Sequence, residues 1–327
     1  MSVSKPRIAI VGLGQVGGSI GLALRQAEAA SVIVGHDRER EAGNRAKNMG
    51  AVDRIHWNLI STCEDADLVI LALPLDGIES TMEAIGPYLQ PGCVVIDTAS
   101  LKVPVLDWAA RHLPEQVYFV GTDPIPGKSW RGGSGQEDAR ADLFQQGMFC
   151  IVPAPGASAD SVKLVTDLAS ILEASPLFLD AAEHDGLIAA VDQLPGLLAL
   201  ALLETAIHQP AWRELRKVAG PTFEVGSRLA DSDPAEQAGG YIANRENVLR
   251  WLEIVASVLD SVRQAVSDGD PEALAARIDE AVVERRKWRV DRAAGQWFEG
   301  AQTMPDRPSL IDSLFGTFWR RGPKEES

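Results

Sequence analysis

The run Arg7-Ile8-Ala9-Ile10-Val11 leads directly into Gly12-Leu13-Gly14-Gln15-Val16-Gly17, a strand-like stretch set against G-x-G-x-x-G at the start of a helical pattern. Each glycine has a physical reason in that context. Gly12 permits a tight turn, Gly14 lets the backbone approach a pyrophosphate at a helix N-terminus, and Gly17 lets helix and strand pack closely. Gln15 and Val16 complete the loop beside them. Asp37 follows Gly17 by 20 residues, at the end of the second strand-like run, where a carboxylate accepts hydrogen bonds from ribose hydroxyls. NAD is the expected cofactor. Arg38 next to it offers a cation to a 2′-phosphate and keeps NADP open.

Outward from this motif, short β-rich runs alternate with helical patterns as far as Asp180, the signature of parallel strands joined by helical crossovers. Strands are expected at Arg7–Val11, Val32–Gly35, Leu68–Leu73, Val94–Asp97, Val117–Val120, Phe149–Val152 and Pro176–Leu179. Several are continuous Val/Ile/Leu runs, as in strands covered by helices on both faces. The expected fold is thus α/β, a Rossmann-type doubly wound sheet over 1–180. After Asp180 only helical patterns remain, and Asp233-Pro234 and Asp270-Pro271 mark helix starts, a capping carboxylate before proline at the first helical position. An all-helical domain over 181–300 is expected. A tail, 301–327, carries Leu310, Ile311, Leu314, Phe315, Phe318 and Trp319.

Composition bounds the rest. With 327 residues, 46% apolar and 24% charged, the chain is globular and long enough for two domains. Its net charge of -15 repels nucleic-acid phosphates and anionic lipid, so neither is an expected partner. The longest apolar stretch, Gly186 to Ile207, is interrupted by Asp192, Gln193, Pro195 and Glu204 and is expected to be a buried core helix rather than a membrane span. Cys63, Cys93 and Cys150 are scattered and odd in number, which suits a reducing cytoplasm, and no leader-like segment precedes the first strand.

At the carboxyl edge of the expected sheet, where ligands bind, lie Leu71-Ala72-Leu73-Pro74, then Asp97-Thr98-Ala99-Ser100-Leu101-Lys102, then Gly121-Thr122-Asp123-Pro124-Ile125-Pro126-Gly127. Further along come Asp142-Leu143-Phe144, His184-Asp185, Phe223, Arg228-Leu229-Ala230, Ser232-Asp233-Pro234 and Asn244. With the glycine motif, this ordered set resembles the prephenate and arogenate dehydrogenases, which make the tyrosine precursor by oxidative decarboxylation. The resemblance implies a homodimer with its active site between the two domains. It places Leu73 and Pro74 at the cofactor, Ser100 near the nicotinamide and the substrate hydroxyl, and Arg228 on a substrate carboxylate, whose geometry a guanidinium matches in bidentate fashion.

The chain departs from the family where chemistry is expected. Asp123 stands where the family's G-T-H-P run has a histidine, and Asp192-Gln193-Leu194-Pro195-Gly196 replaces its S-H-L-P-H helix motif. None of His36, His56, His112, His184 and His208 restores the base from sequence alone. Asp123 can accept the hydroxyl proton only if burial makes it more basic than an ordinary aspartate; otherwise it is a turn residue. Asp192 and Gln193 face a ligand or satisfy backbone groups freed at Pro195. Ser100 has a helix cap, and Arg228 a solvated surface position, as the alternative. Lys102, Lys128 and Arg131 either attract an anionic substrate, a small carboxylate, or are plain surface charges, and the latter is the expectation for each. Two rival functions remain open: a related hydroxy-acid dehydrogenase or imine reductase, and a dinucleotide-responsive regulatory module.

Overall fold

A computed structural model describes residues 5–130, 138–230, 233–295 and 297. Arg131, Ser232 and the tail from Ala301 lie outside the described residues. The described residues divide into two compact units, one running to Asp180 and resuming at Glu284, the other Ala181–Val283.

The first unit is built on one sheet. Its strands are β1 (Arg7–Val11), β2 (Val32–His36), β3 (Arg54–Ile55), β4 (Leu68–Leu71), β5 (Val94–Asp97), β6 (Tyr118–Ile125), β7 (Met148–Pro153) and β8 (Ser175–Phe178), in the order β3-β2-β1-β4-β5-β6-β7-β8. The helices between them are α1 (Gln15–Gln26), α2 (Arg40–Asn48), α3 (Leu59–Cys63), α4 (Leu75–Ile85), α5 (Val103–His112) and α6 (Ala159–Ile171). Alternate strand residues enter opposite cores. Ile8, Ile10, Leu68, Ile70, Val94 and Ile96 pack with Ile20 and Leu24 of α1 and Leu164 and Leu168 of α6. Ala9, Val11, Val69, Leu71 and Val95 pack with Ile78 and Met82 of α4 and Val105 of α5. Two buried faces require apolar residues at every position, which accounts for the continuous runs.

The sheet corrects the sequence expectation in three places. A strand at Arg54–Ile55 was not expected. β6 runs on through Ile125 instead of ending at Val120, so Asp123 is a strand residue opposite Cys150 rather than a turn aspartate. And β6 pairs with β7 antiparallel, although all the other neighbours are parallel. The edges are blunt: β3 has two residues, and β8 carries Pro176.

The second unit is helical: α7 (Ala181–Ile188), α8 (Leu194–Ile207), α9 (Trp212–Val218), α10 (Pro221–Ser227), α11 (Pro234–Ala243), α12 (Arg245–Asp268) and the first part of α13 (Pro271–Ala294). Asp233 and Asp270 cap helices as their position before proline predicts, each accepting two backbone N–H groups. α12 ends at Gly269 in the left-handed conformation, φ 68°. The last turns of α13 belong with the first unit, where Arg292 Nη2 donates to Pro126 O at 3.3 Å.

The expected buried core helix is not buried by its own chain. Ala181–Ile207 is one continuous helical stretch, long and apolar enough to cross a membrane by length and composition alone, and 28% of its most apolar window is buried. In α8 only Gly196 and Ala199 are buried, while Leu198, Leu200 and Leu202 stay exposed. Composition registers that a helix needs cover but not which chain provides it.

Candidate active site

The chain order reverses between β1 and β4, and the crevice outside their carboxyl ends is where open α/β sheets bind ligands. Gly12 lies there with φ 89°, and a Cβ on it would sit 2.1 Å from Ala72 O. A Cβ on Gly17 would sit 2.0 Å from Gly12 O. These two glycines are required by the protein itself. Gly14 differs: it is exposed at the N-cap of α1, without a side-chain cap, and its Cβ would meet nothing within 4 Å. Open space therefore lies beside Gly14 at the start of α1, next to half-buried Gln15 and Val16, where glycine loops of this kind bring a pyrophosphate to the helix N-terminus.

Asp37 is anchored by its neighbours. One oxygen accepts Leu13 N–H and the other Glu39 N–H, both at 2.8 Å, which ties the carboxylate to the glycine loop and leaves lone pairs for two ribose hydroxyls. Arg38 is exposed, and the next arginine, Arg40, lies 5.6 Å over the Trp57 ring. Leu73 is half-buried against the glycine loop, and Pro74 is the exposed N-cap of α4. These residues fit a dinucleotide.

Ser100 lies just past the end of β5, and Asp123 within the last residues of β6. Ser100 is exposed between β5 and α5, and it caps nothing, since α5 starts after Lys102 without a side-chain cap bond. Asp123 is 7% exposed. Lys102 is not the surface charge expected from the sequence: its side chain is fully buried and ion-paired with the equally buried Asp97. Burial pushes the Asp97 carboxyl up from its ordinary range, while Lys102 and the N–H groups of Thr122 and Ala99 pull it back. Lys128 is exposed as expected.

In the helical unit, α7 passes into α8 through a π-helical turn, Ala189–Gln193, an irregularity common at functional sites. It turns Gln193 inward and leaves Asp192 exposed. The Gln193 amide donates to Gly240 O at 3.1 Å and accepts from Asn244 Nδ2 at 2.8 Å, and Asn244 Nδ2 also reaches Asp185 O at 2.8 Å. Buried His184 meets Asp185 through Nδ1 at 2.9 Å. Gln193 thus works first as a tie between helices. It keeps one amide N–H beyond its bond to Gly240, so a ligand contact stays open. Desolvation, then the Asp192 charge, raises the pKa of Tyr241, whose hydroxyl lies 2.6 Å from where a Cβ on Gly196 would be. The sequence gives no sign of that contact. Arg228 is exposed in a 3-10 turn, and its side chain makes no hydrogen bond or ion pair to another described residue.

Two family models match: "Prephenate dehydrogenase, nucleotide-binding domain" over residues 20–175 and "Prephenate dehydrogenase, dimerization domain" over residues 180–280. The chain belongs to the prephenate dehydrogenase family. The first match begins after Gly17, so the glycine loop argues for the dinucleotide independently. A prephenate dehydrogenase of Bacillus subtilis is 25% identical over 318 residues, 96% of this chain and 85% of the relative. A cyclohexadienyl dehydrogenase of Zymomonas mobilis is 23% identical, covering 89% of this chain and 98% of its own. Prephenate dehydrogenase from A. aeolicus, solved in complex with hydroxyphenyl propionate and NAD+, superposes with a TM-score of 0.78 at 25% identity, covering 88% of this chain and 99% of that one. The chain is an NAD-dependent dehydrogenase of this family, with a Rossmann-type sheet followed by helices.

Proposed function

We propose that the substrate is a cyclohexadienyl carboxylate of the prephenate or arogenate type, which loses hydride and carbon dioxide as its ring becomes aromatic, on the route to tyrosine. Bound NAD supplies the hydride acceptor. Gly12, Gly14, Gln15, Val16, Gly17, Leu73 and Pro74 hold the dinucleotide, and Asp37, with Arg38 beside it, holds the ribose. Asp123 takes the proton of the ring hydroxyl, and Ser100 hydrogen-bonds that hydroxyl. Arg228 pairs with a carboxylate, and Asp192 and Gln193 line the substrate's side of the helical unit. The observation that carries this reading is a buried carboxylate, Asp123, near the carboxyl end of β6, with an exposed uncommitted hydroxyl, Ser100, just past the end of the neighbouring β5, in a family member.

The test is NADH formation with prephenate, arogenate and small hydroxy acids, followed by the same assay on Asp123→Asn. We expect turnover with a cyclohexadienyl substrate and a loss of about 10²- to 10⁴-fold in the variant, with NAD affinity unchanged. Unaltered turnover in Asp123→Asn removes it as the base; oxidation of hydroxy acids alone moves the enzyme to the rival substrate class.

A homodimer formed through the helical unit is part of the same reading. α12 buries only Val248, and Leu249, Ile254, Val258 and Leu259 are exposed. An open pocket of about 510 Å³ beside α8 is lined by Leu202, Trp212, Leu215 and Phe223 and by no titratable group, so it suits packing rather than chemistry. Cytoplasmic residence agrees with three buried free cysteines.

A further inference from the structure

The β5–β6 ladder stops at Ile96 and Val120, yet Ser100 and Asp123 both lie beyond it. Past that point the two strand ends are joined by one buried cluster. Lys102 Nζ donates to Asp97 Oδ2 and, at 2.7 Å, to Thr122 O. Asp97 Oδ2 also accepts Ala99 N–H at 3.0 Å, and Oδ1 accepts Thr122 N–H at 3.2 Å. The Thr122 hydroxyl closes the cluster on Asp97 O. Thr122 is therefore held by its N–H, its carbonyl and its side chain, directly before Asp123, while Ala99 is held directly before Ser100. Gly121 makes the room: a Cβ there would come within 3.1 Å of Lys102 Cδ and 3.2 Å of Val152 O.

A fully buried ammonium is costly, and an apolar side chain would fill the same volume more cheaply. What it could not do is bind a carboxylate and a backbone carbonyl at once and so lock the β5–α5 loop to the end of β6. We propose that Lys102 is a positioning residue that, through Asp97, sets the placement of Ser100 and Asp123 for the reaction. The catalytic part of this inference rests on the proposed function; the structural part does not.

The experiment compares Lys102→Met and the double variant Asp97→Asn/Lys102→Met with the wild type, in the full-length protein. In Lys102→Met the Asp97 carboxyl stays buried with its counter-charge gone. Its pKa in the folded state then lies further above the unfolded value, so stability is kept below the ordinary carboxylate range and lost as pH rises through the folded value. The melting temperature of Lys102→Met should fall further behind the wild type as pH rises above the ordinary carboxylate range, and the double variant should not show this trend. The double variant should melt near the wild type and bind NAD within about threefold, because neutral replacement of a buried pair is often tolerated. Its kcat should nevertheless stay down about 10²-fold, the scale of a misplaced reacting group.

Wild-type kcat in the double variant would overturn the proposal, as would a kcat loss that simply follows melting temperature across the variants. If the wild type oxidises no cyclohexadienyl substrate, the proposed function fails, and amide hydrogen exchange decides the positioning separately. Faster exchange at Ala99 and Thr122 in the double variant, with Val95 and Ile96 unchanged, supports the lock; unchanged exchange at Ala99 and Thr122 refutes it.

Discussion

A Cβ on Gly12 would collide with Ala72 O on a backbone with φ 89°, whereas one on Gly14 would project into open space. The two changes should therefore fail differently. Gly12→Ala should cost about 1–3 kcal/mol of stability or more through strain and collision. Gly14→Ala should melt within about 2 °C of the wild type yet bind NAD at least about tenfold more weakly, because its methyl enters the pyrophosphate's space. Thermal melts and calorimetric titration check both, and full NAD affinity in Gly14→Ala would remove the pyrophosphate from that position. These glycines are legible in the sequence because their spacing reports backbone geometry. Lys102 is not. Its partner stands five residues upstream, but the carbonyl of Thr122, which completes its site, arrives only when β6 folds alongside. Asp192 and Gln193 were readable as polar residues in an apolar helix; which of them turns inward depends on the π-helical turn, and no periodicity announces it.

Among the elements, β1, β2, β4 and β5 could be read directly, because a strand buried on both faces writes itself as an unbroken apolar run. β3 is too short to leave a pattern. The end of β6 is obscured by Asp123-Pro124, a turn-like pair that the antiparallel pairing with β7 nonetheless keeps extended. In the helical unit the tie of most consequence is Asn244, which holds Asp185 of α7 and Gln193 of the π-helical turn from the junction of α11 and α12. Asn244→Ala leaves buried acceptors unmatched and should cost about 1–3 kcal/mol in chemical denaturation. By comparison, Asp270→Ala, which loses only an exposed cap, should cost about 1 kcal/mol. Equal costs would mean that the buried tie carries no more than a surface cap.

On the scale of the molecule, the exposed apolar side chains of α8 and α12 call for cover from a second copy. Leu198→Glu combined with Leu202→Glu, one turn apart on α8, should shift sedimentation toward the monomer and make the melting temperature depend less strongly on concentration. A wild type that sediments as a monomer at micromolar concentration would sink the dimer. Each chain also brings a net charge of -15, so association should tighten as salt screens the mutual repulsion. The blunt ends of the sheet bear on how copies can meet. A two-residue strand at one edge offers almost no open hydrogen-bonding groups, and Pro176 takes an N–H away from the other. Neither margin templates a further strand, so two copies have little means of joining their sheets into a continuous ribbon, and a chain that exposes this much apolar helix is still guarded against fibrous self-association.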